Sequence, residues 1–438
     1  MQWGLLGAEN LASQRRTRTL GLGAVVRTFN DLAVPGMGGI WFGKQLFLAV
    51  LGLVVAERVR AAGQHIRNID VANAVEGLAC WLALDENGWK ADARALGRLK
   101  MQGKTDLSFR AVSQRNFYVT QPMRMRTVQP LYELGLVDGT SERFNAFQCT
   151  DTARTLIDVA CKEYMPKNRT VPSNMLHWIR GDDNCVKTTA SREALSPTKP
   201  LSSAAREILR ERLMANSDRR RALLQWMDSL LKAPRQRIDI EQRPGSLDEN
   251  HWQDIRSGTL FFRTRDAAIH VLDGVESHIG GLGGRPRLAL QGKLPDEIVT
   301  RLTTLKRVAE SFLKARHDPS PGESATTFCK ECIQQHAAVL QRLAMRDDRV
   351  LRFRDDAIRP GPAFRGTPEP TVDEHGVDEH DYDVIADQGV QIVDSESSGV
   401  TSGIEWPEGM SPRIPNFFLF NADLWGRLDE ILGGGTHG

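Results

Sequence analysis

The amino-acid sequence predicts a mainly α-helical multidomain protein with one embedded α+β module, a few short strands and a flexible acidic linker near the C-terminus. With 438 residues, the chain is long enough for two or three domains that each bury a core. Apolar residues recur at helical spacing through most of the sequence, whereas alternating, strand-like stretches are few and short. A tract dense in Pro, Asp, Glu and Ser begins after Arg359 and breaks the helical pattern.

Changes in composition along the chain predict five segments. They are a helical N-terminal domain with buried apolar helices (1–104), the α+β module (105–165), a mainly helical domain (166–358), the acidic linker (359–412) and an apolar docking segment with a tail (413–438). The net charge of +2 predicts no attraction of the whole molecule to polyanions. Affinity for nucleic acid would therefore have to come from a local basic patch.

Two strongly apolar stretches near the N-terminus predict core helices. Leu46–Ala56 is shorter than the roughly 20 apolar residues that a membrane-spanning helix needs. Val71–Leu84 follows Asn68 and Asp70, either of which is a suitable N-cap. We expect the two helices to pack together and the protein to have no contact with a membrane. Six widely spaced cysteines suit a reducing compartment, so a cytoplasmic location is expected.

Amphipathic helices are predicted for the middle of the chain. In residues 201–214, apolar side chains fall on one helical face and Arg and Glu side chains on the other. The same pattern predicts helices over 222–231, 296–315 and 325–345. Outside the α+β module, strand-like patterns are confined to 237–241, 259–262 and 287–290.

The α+β module is predicted from the order of its elements. The sequence indicates a helix over 107–116, a helix over 122–134, a turn at 135–139, a short strand over 143–148 and a final helix capped by Thr150. Apolar side chains in the second helix face a core, and Arg124, Arg126 and Thr127 are expected to be available to solvent.

This module resembles the winged-helix superfamily over about Leu107 to Tyr164. The matching residues are Leu131, Gly135-Leu136-Val137, Arg143-Phe144, Thr150 and Arg154-Thr155-Leu156-Ile157. One departure is Pro130, which falls inside the supposed recognition helix, where proline removes a backbone donor and costs about 3 kcal/mol unless the helix kinks or begins there.

The resemblance implies DNA contact through five side chains of the module. Phosphates or base edges would meet Arg115, Arg124, Arg126 and Thr127, and Arg143 on the wing would touch the DNA backbone. Winged helices also dock other proteins, so protein interaction stays open as an alternative role for the module.

A cysteine and histidine group is the weak candidate for a metal site. Cys329, Cys332 and His336 lie on one face if their helix is continuous, and His317 lies upstream across a Pro/Gly loop. These are zinc ligand types, but the same spacing also describes an ordinary packed helix face. No cofactor is predicted, and zinc is the one metal that the residues would suit.

The C-terminal segment is a candidate for docking a partner protein. Residues 414–432 are apolar and aromatic and follow a tract too polar to bury a core. His375 and His380 lie in that tract, where charged linker is the favoured interpretation. The expected docking side chains are Phe417, Phe418, Phe420, Leu424 and Trp425.

Three functional hypotheses follow from these features. The first is a non-enzymatic, DNA-associated winged-helix accessory subunit of a bacterial multi-protein system, such as a mobile-element or anti-phage system. The second is a scaffold subunit that docks other protein subunits through its C-terminal segment. The third is a nuclease-like enzyme of unrecognised family, built from the His/Asp-rich middle: His251, Asp254, Asp266, His270, Asp273, Glu276 and His278.

Overall fold

The computed structural model describes residues 18–139, 143–182, 185–233, 236–283, 286–366 and 403–433, and they are mostly helical, as predicted. The chain divides into two compact units. The larger unit comprises Arg27–Thr259 and Tyr382–Gly438, and the smaller comprises Met1–Val26 and Leu260–Asp381. These boundaries are not those of the five segments predicted from composition. Helices α1 (Gly23–Ala33) and α12 (Glu249–Gly280) each continue from one unit into the other.

The larger unit is built from short and medium helices around one apolar core. Its further helices are α2 (Gly43–Ala61), α3 (Asn68–Glu86), α4 (Arg98–Met101), α5 (Phe109–Val112), α6 (Val128–Glu133), α7 (Asp151–Cys161), α8 (Val171–Ile179), α9 (Thr189–Leu195), α10 (Ser203–Met214), α11 (Asp218–Lys232), α16 (Arg413–Leu424) and α17 (Leu428–Gly433). Its strands are β1 (Val137–Asp138), β2 (Gln148–Cys149), β3 (Gln236–Arg237) and β7 (Ile404–Glu405). Strands β1 and β2 pair antiparallel, whereas β3 and β7 pair parallel.

Helices α2 and α3 form the centre of this core and pack against each other, as expected. Gly52 of α2 permits the close approach, because a Cβ atom at this position would lie 2.5 Å from the Cα of Ala72. The expected capping of α3 is wrong: Arg67 occupies the N-cap position, and Asn68 is the first helical residue. The Asn68 amide instead donates hydrogen bonds to the carbonyl oxygens of Phe144 and Phe147. No helix within the described ranges is long and apolar enough to cross a membrane.

The segment that resembles a winged helix keeps the predicted order of elements but shortens most of them. Helix α5 has one turn, and the second helix consists of the 3-10 helix Met123–Thr127 followed by α6. The predicted strand over 143–148 is wrong at its start, where the 3-10 helix Phe144–Ala146 precedes β2. The final helix agrees: the hydroxyl of Thr150 accepts a hydrogen bond from the backbone N–H of Ala153 at the start of α7.

Pro130 lies inside α6 and is buried. Only two residues of α6 precede it, so its missing N–H falls in the first turn, where helical N–H groups have no carbonyl partner within the helix. The second helix therefore begins just before the proline rather than being interrupted by it. The Gly36–Gly39 turn packs against this start, because a Cβ at Gly38 would lie 2.9 Å from the carbonyl oxygen of Arg126.

The smaller unit combines helices with a three-stranded antiparallel sheet. Its helices α13 (Asp296–Ala315), α14 (Ser324–Cys332) and α15 (His336–Asp347) precede the hairpin of β5 (Leu351–Arg354) and β6 (Ala357–Pro360), and β4 (Leu288–Ala289) pairs with the other edge of β6. Edge-to-face contacts of Phe261 with Phe312 and Phe328 fill its core. Arg18 is nearly buried and forms ion pairs with Asp273, Glu276 and Asp347.

Two of the predicted elements in the middle of the chain are wrong. Residues 259–262 lie inside the 32-residue helix α12, so the strand expected there is absent. The helix expected over 325–345 is interrupted between Cys332 and His336. The helices expected over 201–214, 222–231 and 296–315 are confirmed as α10, α11 and α13.

Candidate functional site

A buried glutamate on α3 organises the segment that carries the predicted DNA-binding residues. The side chain of Glu76 is nearly inaccessible, with 2% of its surface exposed. Its carboxylate accepts hydrogen bonds from the Tyr118 hydroxyl at 2.9 Å and from the backbone N–H groups of Met123 and Arg124 at 2.6 and 2.8 Å. The two N–H groups belong to the start of the 3-10 helix, so Glu76 caps it from another part of the chain.

The electrostatics of this group follow from its burial. Burial raises the pKa of Glu76, and the hydrogen bonds from Arg124, Met123 and Tyr118 oppose this shift without cancelling it. Burial also raises the pKa of Tyr118 well above its ordinary value and that of Cys80 to about 12. The Cys80 thiol lies 3.3 Å from the Tyr118 hydroxyl. Both groups are therefore neutral at physiological pH and act as structural partners of Glu76.

Two of the five predicted DNA-binding side chains are not available to solvent. Arg124 is 5% exposed, donates from Nε to the Asn73 side chain at 2.8 Å and places its guanidinium over the Phe144 ring at 4.7 Å. Thr127 is fully buried, and its hydroxyl donates to the carbonyl oxygen of Arg124 at 2.7 Å. The expectation that they face solvent is wrong, because α3 covers this side of the 3-10 helix.

The other three predicted DNA-binding residues are at least partly accessible. Arg115 lies in the exposed turn after α5, and Arg143 lies exposed before β2. Arg126 is half-buried, and burial lowers its pKa although Glu76 and Tyr118 pull it upward. Within the described ranges Arg126 forms neither a hydrogen bond nor an ion pair with another side chain. Its guanidinium has therefore lost part of its hydration without gaining an anionic partner.

The C-terminal segment does not present the expected docking surface. Four of its five predicted side chains are buried in the core of the larger unit, where α16 packs against α2, α10 and α11: Phe417, Phe418, Phe420 and Leu424. The expectation is wrong for these four, because the same chain already covers their apolar surface.

Trp425 is the one predicted docking residue that stays exposed. About half of its surface, 51%, is accessible to solvent. Its indole N–H donates to Asp228 at 2.8 Å, and the guanidinium of Arg210 stacks over its ring at 4.0 Å. These contacts hold the ring against α10 and α11, so its exposed face is small and its position is set within the unit.

The cysteine and histidine group is not arranged as a metal site. Cys329 and Cys332 are buried, and burial raises the pKa of Cys329 to about 12 and that of Cys332 still further. Since α14 ends at Cys332 and His336 begins α15, the continuous face assumed for the three residues does not exist. Among the residues that the structure describes, no three His, Cys, Asp or Glu side chains are grouped to hold a metal ion. His317 lies half-buried in the loop between α13 and α14.

The His/Asp-rich middle falls entirely on α12, where other groups engage its buried members. In the larger unit, Nε2 of the fully buried His251 lies 3.0 Å from the carbonyl oxygen of Ala33, and burial lowers the pKa of this histidine. Asp254 pairs with Arg219 at 2.6 Å. In the smaller unit, Asp266 pairs with Arg265, and Arg18 engages Asp273 and Glu276. His375 and His380 lie outside the described residues.

Sequence reasoning missed a polar cleft in the larger unit. Its most unusual member is Lys44, in the first turn of α2, of which 4% is exposed. Burial lowers the pKa of Lys44 to about 8. The available signal was a lysine directly before the apolar run of α2, where a charged side chain has to be buried or turned aside.

The structure therefore brings together a different set of residues from those expected. Glu76 and Lys44 interrupt apolar stretches of sequence, and each makes its contacts with residues more than 40 positions away. The predicted residues divide into buried structural ones and accessible basic ones. In comparisons with known proteins, the chain matches no family model, no curated protein and no solved structure.

Proposed function

We propose that the larger unit binds nucleic acid through the accessible arginines of residues 107–164, and that the protein acts as a non-enzymatic accessory subunit. The observation that carries this proposal is Arg126, a partly dehydrated guanidinium without an anionic partner among the described residues. A phosphate group would supply that partner, because guanidinium binds phosphate through charged, bidentate hydrogen bonds. The helix, turn, helix, hairpin, helix order supports the same interpretation.

The neighbouring basic residues extend this proposal. Arg115 and Arg143 are exposed on the same segment, so they are the residues that would contact further phosphates. Arg124 has a different part: it fixes the 3-10 helix through Asn73 and Phe144, and thereby positions Arg126 two residues later. The setting in a bacterial multi-protein system stays a prediction, which co-purification from the native host would test.

Salt-dependent binding to duplex DNA is the decisive experiment. Fluorescence anisotropy with a labelled duplex of about 30 base pairs, measured from 50 to 300 mM salt, gives the number of phosphates neutralised, because log K falls by about 0.9 per phosphate for each tenfold rise in salt. The variants Arg115→Gln, Arg126→Gln and Arg143→Gln are each expected to weaken binding and to reduce the salt slope by about 1.

A matched control separates this local effect from the change in net charge. Arg307→Gln removes an exposed charge from α13 in the smaller unit and is expected to leave binding unchanged. The proposal would be overturned by an absence of salt-dependent binding in the wild-type protein. Equal losses in Arg126→Gln and Arg307→Gln would overturn it as well.

A further inference from the structure

The polar cleft of the larger unit lies where the start of α2 meets residues 197–200 and the end of α16. Its empty volume is about 310 Å³, including the solvent at its mouth, which suits a small molecule. The charged and aromatic side chains that line it are Phe42, Lys44, Arg94, Lys199, Asp423 and Asp429.

Lys44 is poorly satisfied in this cleft. Its ammonium group donates to the carbonyl oxygen of Ala194 at 2.6 Å and lies 4.6 Å from the centre of the Phe47 ring. An ammonium group has three N–H donors. Within the described ranges the other two have no acceptor, so the group has given up hydration for one hydrogen bond and one ring contact.

The charged state of Lys44 is correspondingly weakened. Burial is the main cause of its lowered pKa, and Lys199 adds to it, whereas Cys161, Asp423 and Glu193 act in the opposite direction. With a pKa of about 8, about a tenth of the Lys44 side chains are neutral amines at pH 7. An ordinary lysine is neutral in well under one molecule in a thousand at this pH.

Lys199 provides a contrast within the same cleft. It forms ion pairs with Glu86 and Glu193. Burial lowers its pKa, but the hydrogen bonds from Glu193 and Glu86 outweigh burial, so the net shift is upward. Lys199 is therefore a protonated, unreactive amine, whereas Lys44 combines access to the cleft with a free lone pair. Position in the cleft alone does not make a lysine reactive here.

Asp423 is the acidic counterpart on α16. Its carboxylate accepts a hydrogen bond from the backbone N–H of Gly43 at 2.7 Å, and burial raises its pKa. A carboxyl group that keeps its proton to higher pH can donate it to a leaving hydroxyl. The cleft thus holds a partly neutral amine and a proton donor.

We propose that Lys44 is a nucleophilic amine and that this cleft takes a small aldehyde or ketone, which Lys44 captures as an imine. The lone pair of the neutral amine attacks the carbonyl carbon, the carbonyl oxygen takes up a proton, and the nitrogen loses one. The resulting carbinolamine then loses its hydroxyl as water, with a proton that Asp423 is placed to supply. The net change joins amine and carbonyl compound to give imine and water, without oxidation or reduction. This inference does not depend on nucleic-acid binding.

Reductive trapping on the full-length protein tests the proposal. The protein is incubated at pH 7 with sodium cyanoborohydride and either glyoxylate, an anionic aldehyde, or propanal, a neutral one. The extent of labelling of each of the 13 lysines is then read by peptide mass spectrometry. We expect Lys44 to be labelled about tenfold faster than Lys199 by at least one probe, and the preferred probe gives the charge of the natural ligand class.

Two further measurements keep the proposal falsifiable. Lys199→Met is expected to leave labelling at Lys44 unchanged, whereas Lys44→Met removes it. In the wild-type protein, labelling of Lys44 should level off above a midpoint near pH 8, independently of whether the Lys44 variant folds. Labelling of Lys44 no faster than that of Lys199, a midpoint near 10.5, or labelling only in urea would overturn the proposal.

Discussion

Substitutions of Glu76 test whether one buried carboxylate holds the 3-10 helix Met123–Thr127 in place. Glu76→Leu removes the acceptor for three buried donors. Each orphaned donor costs about 1–3 kcal/mol, so the expected loss in the free energy of unfolding is roughly 3–9 kcal/mol. Because whole domains are stable by only about 5–15 kcal/mol, this variant is expected to be largely unfolded or close to it.

Glu76→Gln gives a graded comparison. Glutamine keeps one oxygen for Tyr118 and Met123 but turns an amide toward the N–H of Arg124, so about 1–3 kcal/mol should be lost. Glu86→Gln on the same helix is the control, because an exposed side chain there should change stability by less than about 0.5 kcal/mol. Urea unfolding followed by tryptophan fluorescence reports on the larger unit, which contains every tryptophan that the structure describes.

The pH dependence of the same variants decides whether burial or hydrogen bonding dominates at Glu76. Since the folded-state pKa is raised above the ordinary value of 4.5, the folded protein holds this proton more tightly than the unfolded chain. The resulting stabilisation is complete below pH 4.5 and is lost as the pH rises through the folded-state pKa. The advantage of wild type over Glu76→Gln should therefore shrink with rising pH. An advantage that grows instead, or equal losses in the Gln and Leu variants, would refute this reasoning.

Three further substitutions probe other parts of the fold. Phe418→Ala should lose about 3–5 kcal/mol in urea unfolding, since the ring is fully buried; a loss below 1 kcal/mol would contradict its place in the core. Thr150→Ala should lose about 0.5–2 kcal/mol in the same assay by removing the α7 cap, and no change would show that cap to be dispensable. Arg18→Met should lose about 3–5 kcal/mol, measured by amide hydrogen exchange in the smaller unit, by stranding buried Asp347. This deficit should shrink as the pH falls, because burial already raises the pKa of Asp347; a deficit independent of pH would argue against it.

The parts of the fold that depend on local pattern were predictable from the sequence. Helices α10, α11 and α13 follow from apolar residues at helical spacing with capping residues beside them. The cap at Thr150 is likewise a local signal. The run 259–262 misled because aromatic and β-branched residues favour strands, but they lie inside a longer helix whose packing overrides that preference.

The parts that depend on distant contacts were not predictable. The burial of Arg124 and Thr127 requires knowing that Glu76 and Asn73, about 50 positions earlier, cover the 3-10 helix. The aromatic content of α16 was visible, but apolar composition does not say whether a segment covers its own core or a partner. Only the packing of Phe418 against the larger unit distinguishes the two.

The larger unit draws its core from two stretches that are separated by the whole described part of residues 260–366. During synthesis on the ribosome, residues 27–259 emerge first and must wait for α16 before their apolar surface is covered. Residues 260–366 can meanwhile complete the smaller unit. The order of folding would then be opposite to the order in which the two units begin to emerge, and the exposed interval would be a period in which chaperones can bind the nascent chain.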